Sequence, residues 1–519
     1  MTKKETKDNN SIPIENNTVI ELFEQLNPEH IPFEKRIFTN RNLRMRKTQL
    51  IGFDMDYTLA LYHDTIEHLA VELTLSALIE DRGYPEKIRS LRYDPTFAIR
   101  GVVIDKRLGN LLKMNHHRHI VRAFHGTRIM EKKERLQAYR NERIRMSAQR
   151  YTLVDTLFAV PEAWLYANLI EVFETQSERS LGSDQYQRIY QDIRETVDRI
   201  HADGSLKQRI RSDLGNYIEQ DPKLANALHR LRSAGKRLFL MTNSYGPYTI
   251  DVMDHLLEDI NPGYPSWQHY FDIIIVGAKK PSFFTHRTAF LQLDEHGEPT
   301  THPVNAFERG VMYQGGNIRE FERLAGASGD QILYVGDNLY GDILRSKKSS
   351  NWRTVMVVPE MERELALRTE LADQFNRRDE LEAHREQLDS ELQHQQVLLR
   401  SLVDITENQA QDFNPTELKA FQHAMDVTRS TIKRLQRAHK RCISEVTSLT
   451  ERLESAFNEN WGMLFKAWDE HSIFGGQVED YACMYTSRVS NLEHYSPWRY
   501  FRTPRDLMPH EHQAPKQRE

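Results

Sequence analysis

The sequence is short of cysteine, of long apolar runs and of charge of either sign in excess, and each shortage excludes something. Only two cysteines, Cys442 and Cys483, stand among 519 residues. That is too few for a disulfide-stapled scaffold and suits a reducing, cytoplasmic compartment. No stretch approaches the ~18 uncharged apolar residues of a membrane-crossing helix, so no membrane partner is expected. The opening MTKKETKDNNSIPIENN has lysines without an apolar stretch behind them, so it does not read as a secretory signal. Seventy Lys and Arg against 75 Asp and Glu give a formal charge of −5. That balance lacks the basic excess that grips a nucleic-acid polymer. Hydrophobic residues are also scarce, at 39% against 28% charged. The chain is polar for its length, which calls for two or more structural units.

The apolar residues that are present come in short unbroken runs. They are Leu50-Ile51-Gly52-Phe53, Arg237-Leu238-Phe239-Leu240-Met241, Phe271-Asp272-Ile273-Ile274-Ile275-Val276, Gln331-Ile332-Leu333-Tyr334-Val335 and Thr354-Val355-Met356-Val357-Val358. Runs without alternation suit parallel strands covered on both faces. Helical patterns lie between them, so the expected fold is α/β, a doubly wound parallel sheet.

About 180 residues part the first run from the second, far more than an α/β connection needs. The expected organisation is therefore an N-terminal arm over 1–45 and a catalytic core from 46–66, 236–360 and 461–511. A mostly helical cap is inserted over 67–235, a helical hairpin covers 361–460, and 512–519 form a tail of mixed charge. In the hairpin, Leu367, Leu371, Leu381, Leu388, Leu392, Leu399 and Leu402 keep one heptad register. After a break, Leu418, Phe421, Met425, Ile432, Leu435, Cys442, Val446, Leu449 and Leu453 keep another. Asn414-Pro415-Thr416-Glu417 reads as an N-cap, a proline at N1 and a box-closing glutamate. Two antiparallel helices follow, and their Glu, Arg and Gln account for much of the chain's polarity.

Chemistry is concentrated at the ends of the runs. Asp54-Met55-Asp56-Tyr57-Thr58 follows the first, and open α/β sheets carry their sites at the carboxyl ends of strands. One carboxylate can attack a phosphoryl group, and a second two residues on can protonate the leaving oxygen and activate water. A bare pair of this kind is more often a loop with two solvated aspartates; the other run ends alter that balance. Met241-Thr242-Asn243-Ser244 offers a hydroxyl, an amide and backbone donors to a phosphate. Gly277-Ala278-Lys279-Lys280-Pro281 supplies Lys280 as a counter-charge, and Gly336-Asp337-Asn338-Leu339-Tyr340-Gly341-Asp342 supplies acidic oxygens that can complete a Mg²⁺ shell with Asp54.

The ordered set DMDYT, TNS, KKP and GDNLYGD resembles the four motifs of the haloacid dehalogenase superfamily. The resemblance implies Asp54 as nucleophile and Asp56 as general acid/base, with Thr242 and Lys280 holding the phosphoryl group. It further implies Mg²⁺ bound by Asp54, the Asp56 carbonyl and Asp337, with Asp342 supporting that shell. Longer stretches are similar to the cytosolic purine 5′-nucleotidases acting on IMP and GMP. They are FDMDYTLALY, GVVID with GNLLK, WQHYFD, GDILRSKKSSNWRT and the late Leu507-Met508-Pro509-His510-Glu511. The likeness spans roughly 35–360 and resumes at about 460–511. Beyond a purine nucleoside monophosphate as substrate, it implies a homo-oligomer, a tetramer, and the capacity to pass the phosphoryl group to a nucleoside instead of water.

Arg194, Asp198 and His201 recur at i, i+4, i+7 on one helix face, away from Ile193, Val197 and Ile200. On spacing alone Arg194 and Asp198 read first as a surface salt bridge. A 6-oxopurine, however, offers acceptors at O6 and N7 and a donor at N1, which arginine and aspartate match and adenine reverses. The family pattern has Arg and Asp at these positions, which favours base reading. By the same resemblance Phe158 stacks on the base, with a core aromatic as the alternative. His201 and Lys207 reach ribose and phosphate, beside Asn243 and Ser244. A purine nucleotide effector is implied at Arg145, Tyr340, Lys348 and Gln477, although Met146 and Asp480 depart from the family pattern. Two rival readings are a phosphatase of the same fold for another phosphometabolite and a helical-hairpin interaction protein with the α/β core as scaffold.

Overall fold

The computed structural model describes residues 31–504 and 508, apart from 141, 143, 147, 178–180, 259 and 345–349. The chain divides into two compact units, Met1–Arg363 with Glu470–Glu519, and Glu364–Asp469. Among the described residues no helix is long and apolar enough to cross a membrane.

The first unit is built on a nine-stranded sheet. Its order is Phe38–Thr39, Met484–Thr486, Arg353–Val357, Ile332–Gly336, Leu50–Phe53, Arg237–Met241, Ile273–Val276, Met312–Gly315, Phe290–Gln292. The inner strands are parallel, and an antiparallel strand closes each edge. The five apolar runs of the sequence form the contiguous centre of this sheet. Their lack of alternation has a direct cause. Ile51, Phe53, Leu238, Leu240, Ile274, Leu333 and Val335 pack into one apolar layer with the helices Pro222–Ser233 and Gly246–Leu257. The intervening Leu50, Phe239, Met241, Ile273, Ile275, Ile332 and Tyr334 pack into another with the helix Ile318–Ala325. Both faces are covered, so the strands are apolar at nearly every position instead of alternating.

One expectation is corrected and another is extended. Part of the N-terminal arm assigned to 1–45 belongs to the folded unit. Phe38–Thr39 joins the main sheet, Leu43–Arg44 pairs with Tyr500–Phe501, and Ile37, Leu43 and Met45 are buried. Strands of two residues are too short for a periodic signal. Helices make up far more of the insert than strands do, but the insert also holds a sheet that the sequence did not signal. Residues 103–153 carry a five-stranded antiparallel sheet in the order Arg128–Ile129, Ile120–His125, Asn110–Met114, Val103–Asp105, Tyr151–Leu153. Helices Thr65–Arg82, Val160–Ser177 and Ser183–Ala202 pack on one another in the same insert.

In the second unit, Ala372–Asn408 packs along Pro415–Phe457. Phe375, Leu381, Cys442, Val446, Leu449 and Leu453 are buried between them. Asn414 Oδ1 accepts from the Thr416 and Glu417 amides, both at 3.0 Å, and the Glu417 carboxylate accepts from the Asn414 amide at 2.8 Å. This reciprocal cap starts the second helix.

One glycine decides how closely the central strands pack. A Cβ at Gly52 would lie 2.0 Å from Phe239 Cζ, inside the aromatic ring that covers it. We expect Gly52→Ala to destabilise the protein by about 1–3 kcal/mol through overpacking. Urea unfolding should show a lower midpoint, partly restored when Phe239→Leu is added.

Candidate active site

Four strand ends meet around one buried lysine. Leu50–Phe53 lies between Arg237–Met241 and Ile332–Gly336, where the chain order reverses. Such switch points open a crevice at the carboxyl ends of the strands. Asp54 leaves that end, its amide bonded to the Val335 carbonyl at 2.9 Å. Its Oδ1 accepts from the Met55 amide at 2.8 Å and from Lys280 Nζ at 2.9 Å. Among the described residues Oδ2 has no hydrogen-bond partner, so the carboxylate is oriented through one oxygen and open at the other. Lys280 Nζ also reaches Asp342 Oδ1 at 2.7 Å and the Tyr334 hydroxyl at 2.8 Å, which uses its three donors. Asn243 fixes the Lys280 backbone at both ends, accepting from its amide at 2.6 Å and donating to its carbonyl at 3.0 Å. Gly336 makes room for the acidic turn, since a Cβ there would lie 2.5 Å from Asp342 Oδ2.

The electrostatics of this cluster are dominated by burial. Asp54, Asp337 and Asp342 are all buried, and their ligand oxygens lie within 4.8 Å of one another. Burial raises the Asp54 pKa well above the usual carboxylate range; Lys280 opposes the shift, while Asp342, Asp337 and Asp56 add to it. Asp337 is pushed up to about 8 by burial and the Asp342 charge, against Arg100 and Lys280. Burial alone would lower Lys280, but Asp342 and Asp54 outweigh it and raise it. Three carboxylates share the one Lys280 ammonium at this cluster, and their oxygens are the donor set of a hard divalent cation.

Asp56 sits in a separate chain of hydroxyls. Its Oδ1 accepts from Tyr62 at 2.6 Å and its Oδ2 from Ser244 at 2.8 Å. The Tyr62 hydroxyl is 3.0 Å from that of Tyr248, and Lys207 Nζ donates to Ser244 Oγ at 3.3 Å. Thr242 is fully buried, and its Oγ1 accepts from the Ser244 amide at 3.0 Å.

An open cleft is lined by Asp54, Asn243, Lys280, Asp342, Arg194 and Tyr340, among others. Arg194 is bonded to Asp198 through Nη2 at 2.6 Å and Nε at 3.2 Å, and its Nη1 reaches Glu162 at 2.7 Å. Burial pushes Glu162 up to about 7, with Arg194 opposing and Asp198 adding to the shift. Asp198 is exposed and is not among the residues lining this cleft. Phe158 and His201 line a second, narrow crevice with Tyr57 and Glu67, and Glu162 lines both. Phe158 is half-buried, edge-on to Tyr57 at 4.7 Å and to His201 at 5.6 Å. Burial and the neighbouring Lys207 lower the His201 pKa.

The residues read as an effector set are dispersed differently from the catalytic ones. Tyr340 lines the cleft of Asp54. Gln477 lies on the helix Ile473–Tyr481, which packs on the 339–344 turn; among the described residues its buried Oε1 has no hydrogen-bond partner. Arg145 is exposed. Lys348, like Leu507 and 509–511 of the late motif, lies outside the described residues.

Several contributors gave no signal in the sequence. Tyr62 and Tyr248 hold Asp56, and Tyr334 holds Lys280 while donating to the Met241 carbonyl at 3.0 Å. Arg100 is fully buried, donating to the Asp337 carbonyl at 3.0 Å and to Glu360 at 2.7 and 2.6 Å. Each reads locally as an ordinary strand, helix or loop residue.

Residues 37–513 match the family described as the 5′ nucleotidase family. The chain is 30% identical over 490 residues to a 5′-nucleotidase domain-containing protein of Dictyostelium discoideum, covering 93% of this chain and 76% of that one. It is 29% identical over 471 residues to 5′-nucleotidase domain-containing protein 2 of Homo sapiens, covering 88% and 82%. A solved 2-haloacid dehalogenase from Pseudomonas syringae is similar at 13% identity and a TM-score of 0.20, over 60% of this chain and 87% of that one. That last likeness is too slight to bear on the fold, which rests on the strand order itself. With a match across most of its length, the chain belongs to the 5′ nucleotidase family and is a phosphatase-type hydrolase.

Proposed function

We propose that the protein is a Mg²⁺-dependent 5′-nucleotidase that hydrolyses IMP and GMP through an aspartyl-phosphate on Asp54. The observation that carries this reading is the buried Asp54–Lys280–Asp342 cluster with Asp54 Oδ2 open. The crowded carboxylates of Asp54, Asp337 and Asp342 fit Mg²⁺, with the Asp56 carbonyl as a further ligand. When bound, Mg²⁺ would offset the charge of the phosphoryl oxygens. Asp54 Oδ2 attacks phosphorus while the ester oxygen departs with a proton from Asp56, giving the nucleoside and a phosphorylated Asp54. Asp56 then takes a proton from water, whose oxygen attacks phosphorus. Phosphate leaves and both carboxyl groups return to their starting states. A nucleoside hydroxyl can replace water in the second half, so phosphotransfer accompanies hydrolysis.

Lys280 and Thr242 hold the phosphoryl group, with Ser244, Asn243 and Lys207 beside it. Arg194, at the cleft wall, would meet O6 and N7 of the base, and Asp198, once released from its ion pair with Arg194, would accept from N1. Phe158 and His201 serve base and ribose. Regulation by a purine nucleotide through Arg145, Tyr340, Lys348 and Gln477, a homotetramer and a cytoplasmic location complete the reading. Cys442 and Cys483 are buried and unpaired, in keeping with that compartment.

Three measurements test it. Asp54→Asn should lower phosphate release from IMP by about 10³-fold or more, with the fold intact by circular dichroism. Release at the normal rate would defeat the mechanism. Wild-type protein should prefer IMP to AMP, and Asp198→Ala should narrow that preference by ~10-fold or more; unchanged discrimination would sink the base-reading pair. The panel should include pyrimidine monophosphates and other phosphate esters, with and without ATP or GTP. The third test is stability against pH. Asp337, with its folded pKa raised to about 8, binds its proton more tightly when folded, so its contribution weakens as pH rises toward about 8. Mg²⁺ displaces that proton, so the gain in Tm on adding Mg²⁺ should be larger near pH ~8.5 than near pH ~6. An equal gain at both would argue against carboxylate ligation.

A further inference from the structure

Away from the catalytic cleft, the structure gathers histidines from two segments far apart in sequence. The turn His116-His117-Arg118-His119 leaves the Asn110–Met114 strand of the inserted sheet. Glu470-His471 belongs to the C-terminal part of the same compact unit. Backbone pairing fixes their approach: Asn115 bridges to Ser472, and the His116 amide donates to the His471 carbonyl at 2.9 Å. One ligand atom from each of His116, His117 and Glu470 lies within 4.8 Å of the others, and all three side chains are exposed. The His116 and His117 rings are 3.8 Å apart. Among the described residues their nitrogens have no hydrogen-bond partner. A supporting shell is present as well. Asn115 Nδ2 donates to the Glu470 carboxylate, and His471 Nδ1 pairs with Glu479 at 2.9 Å. His471 and His119 flank the group, their rings 5.9 Å from His116 and 6.3 Å from His117.

We propose that His116, His117 and Glu470 form a second metal site, for a zinc-class divalent cation, that ties the inserted sheet to the C-terminal segment. Two imidazoles and a carboxylate favour Zn²⁺ over Mg²⁺, which takes oxygen ligands. Three protein ligands with a fourth position open to water complete a tetrahedral set. Zinc bonds of ~2.0–2.2 Å require the three donors to close in from their present spacing. Exposed side chains on a pinned backbone can make that adjustment by rotation.

The test is isothermal titration of the full-length protein with ZnCl₂, with excess Mg²⁺ present to occupy the carboxylates around Asp54. We expect saturable binding of one zinc per chain, weakened at least ~10-fold by His117→Ala and also weakened by Glu470→Gln. Phosphate release in Mg²⁺ should be unchanged in both variants, which also reports that they fold. Zinc binding that survives His116→Ala/His117→Ala unchanged overturns the proposal, as does the absence of saturable binding. Binding lost in Asp337→Asn but kept in His117→Ala places the zinc on the catalytic carboxylates and overturns it too.

Discussion

An ammonium group buried among three carboxylates is the constraint on which the site depends. Taking such charges out of water is costly, and removing one partner from a buried pair costs about 3–5 kcal/mol because the other is left uncompensated. Lys280 meets this constraint only if every contact is in place: Asp54 and Asp342 as counter-charges and Tyr334 as third acceptor. The surroundings follow from that need. Asn243 clamps the backbone of Lys280 on both sides, and Gly336 leaves space for the Asp342 carboxylate. Asn338 Oδ1 accepts from the Tyr340 and Gly341 amides at 3.0 and 2.8 Å and so shapes the turn that returns Asp342.

The sheet supplies the low-dielectric setting. Because both of its faces are covered, the strand ends emerge from a dry interior and their charged groups interact strongly. The same feature that made the central strands continuous apolar runs therefore also shifts the proton affinities of Asp54 and Asp337. Asp56 stands apart, half-buried and held by the Tyr62 and Ser244 hydroxyls. In the proposed reaction Asp56 exchanges protons with the reacting atoms, a task better served by movable hydroxyl partners than by a fixed cation.

Much of this was legible in the sequence, for a physical reason. Asp54, Thr242, Lys280 and Asp337 each follow an apolar run within a few residues, so strand and chemistry are read together. What was hidden depends on distant partners. Tyr62 meets Asp56 and Tyr248 only after folding, and Tyr334 looks like one more core aromatic. The inserted sheet was missed because its strands are short and, at Asn110–Met114, buried throughout, so alternation is lost. Arg194 and Asp198 form the ion pair that helical spacing alone reads first, but Glu162, which holds the other side of Arg194, lies on a neighbouring helix and leaves no periodic trace.

Arg100 bears on how separable the parts are. By position it belongs to the long insertion between the first and second core strands. By contact it belongs to the core, spanning Glu360 and the Asp337 carbonyl from a fully buried place. The insertion is thus not a removable module. A graft that exchanged 67–235 between relatives would take this guanidinium with it, leaving Glu360 without its cation and a carbonyl at the acidic turn without its donor. The seam between the modules runs through the active site, so insert and core must vary together.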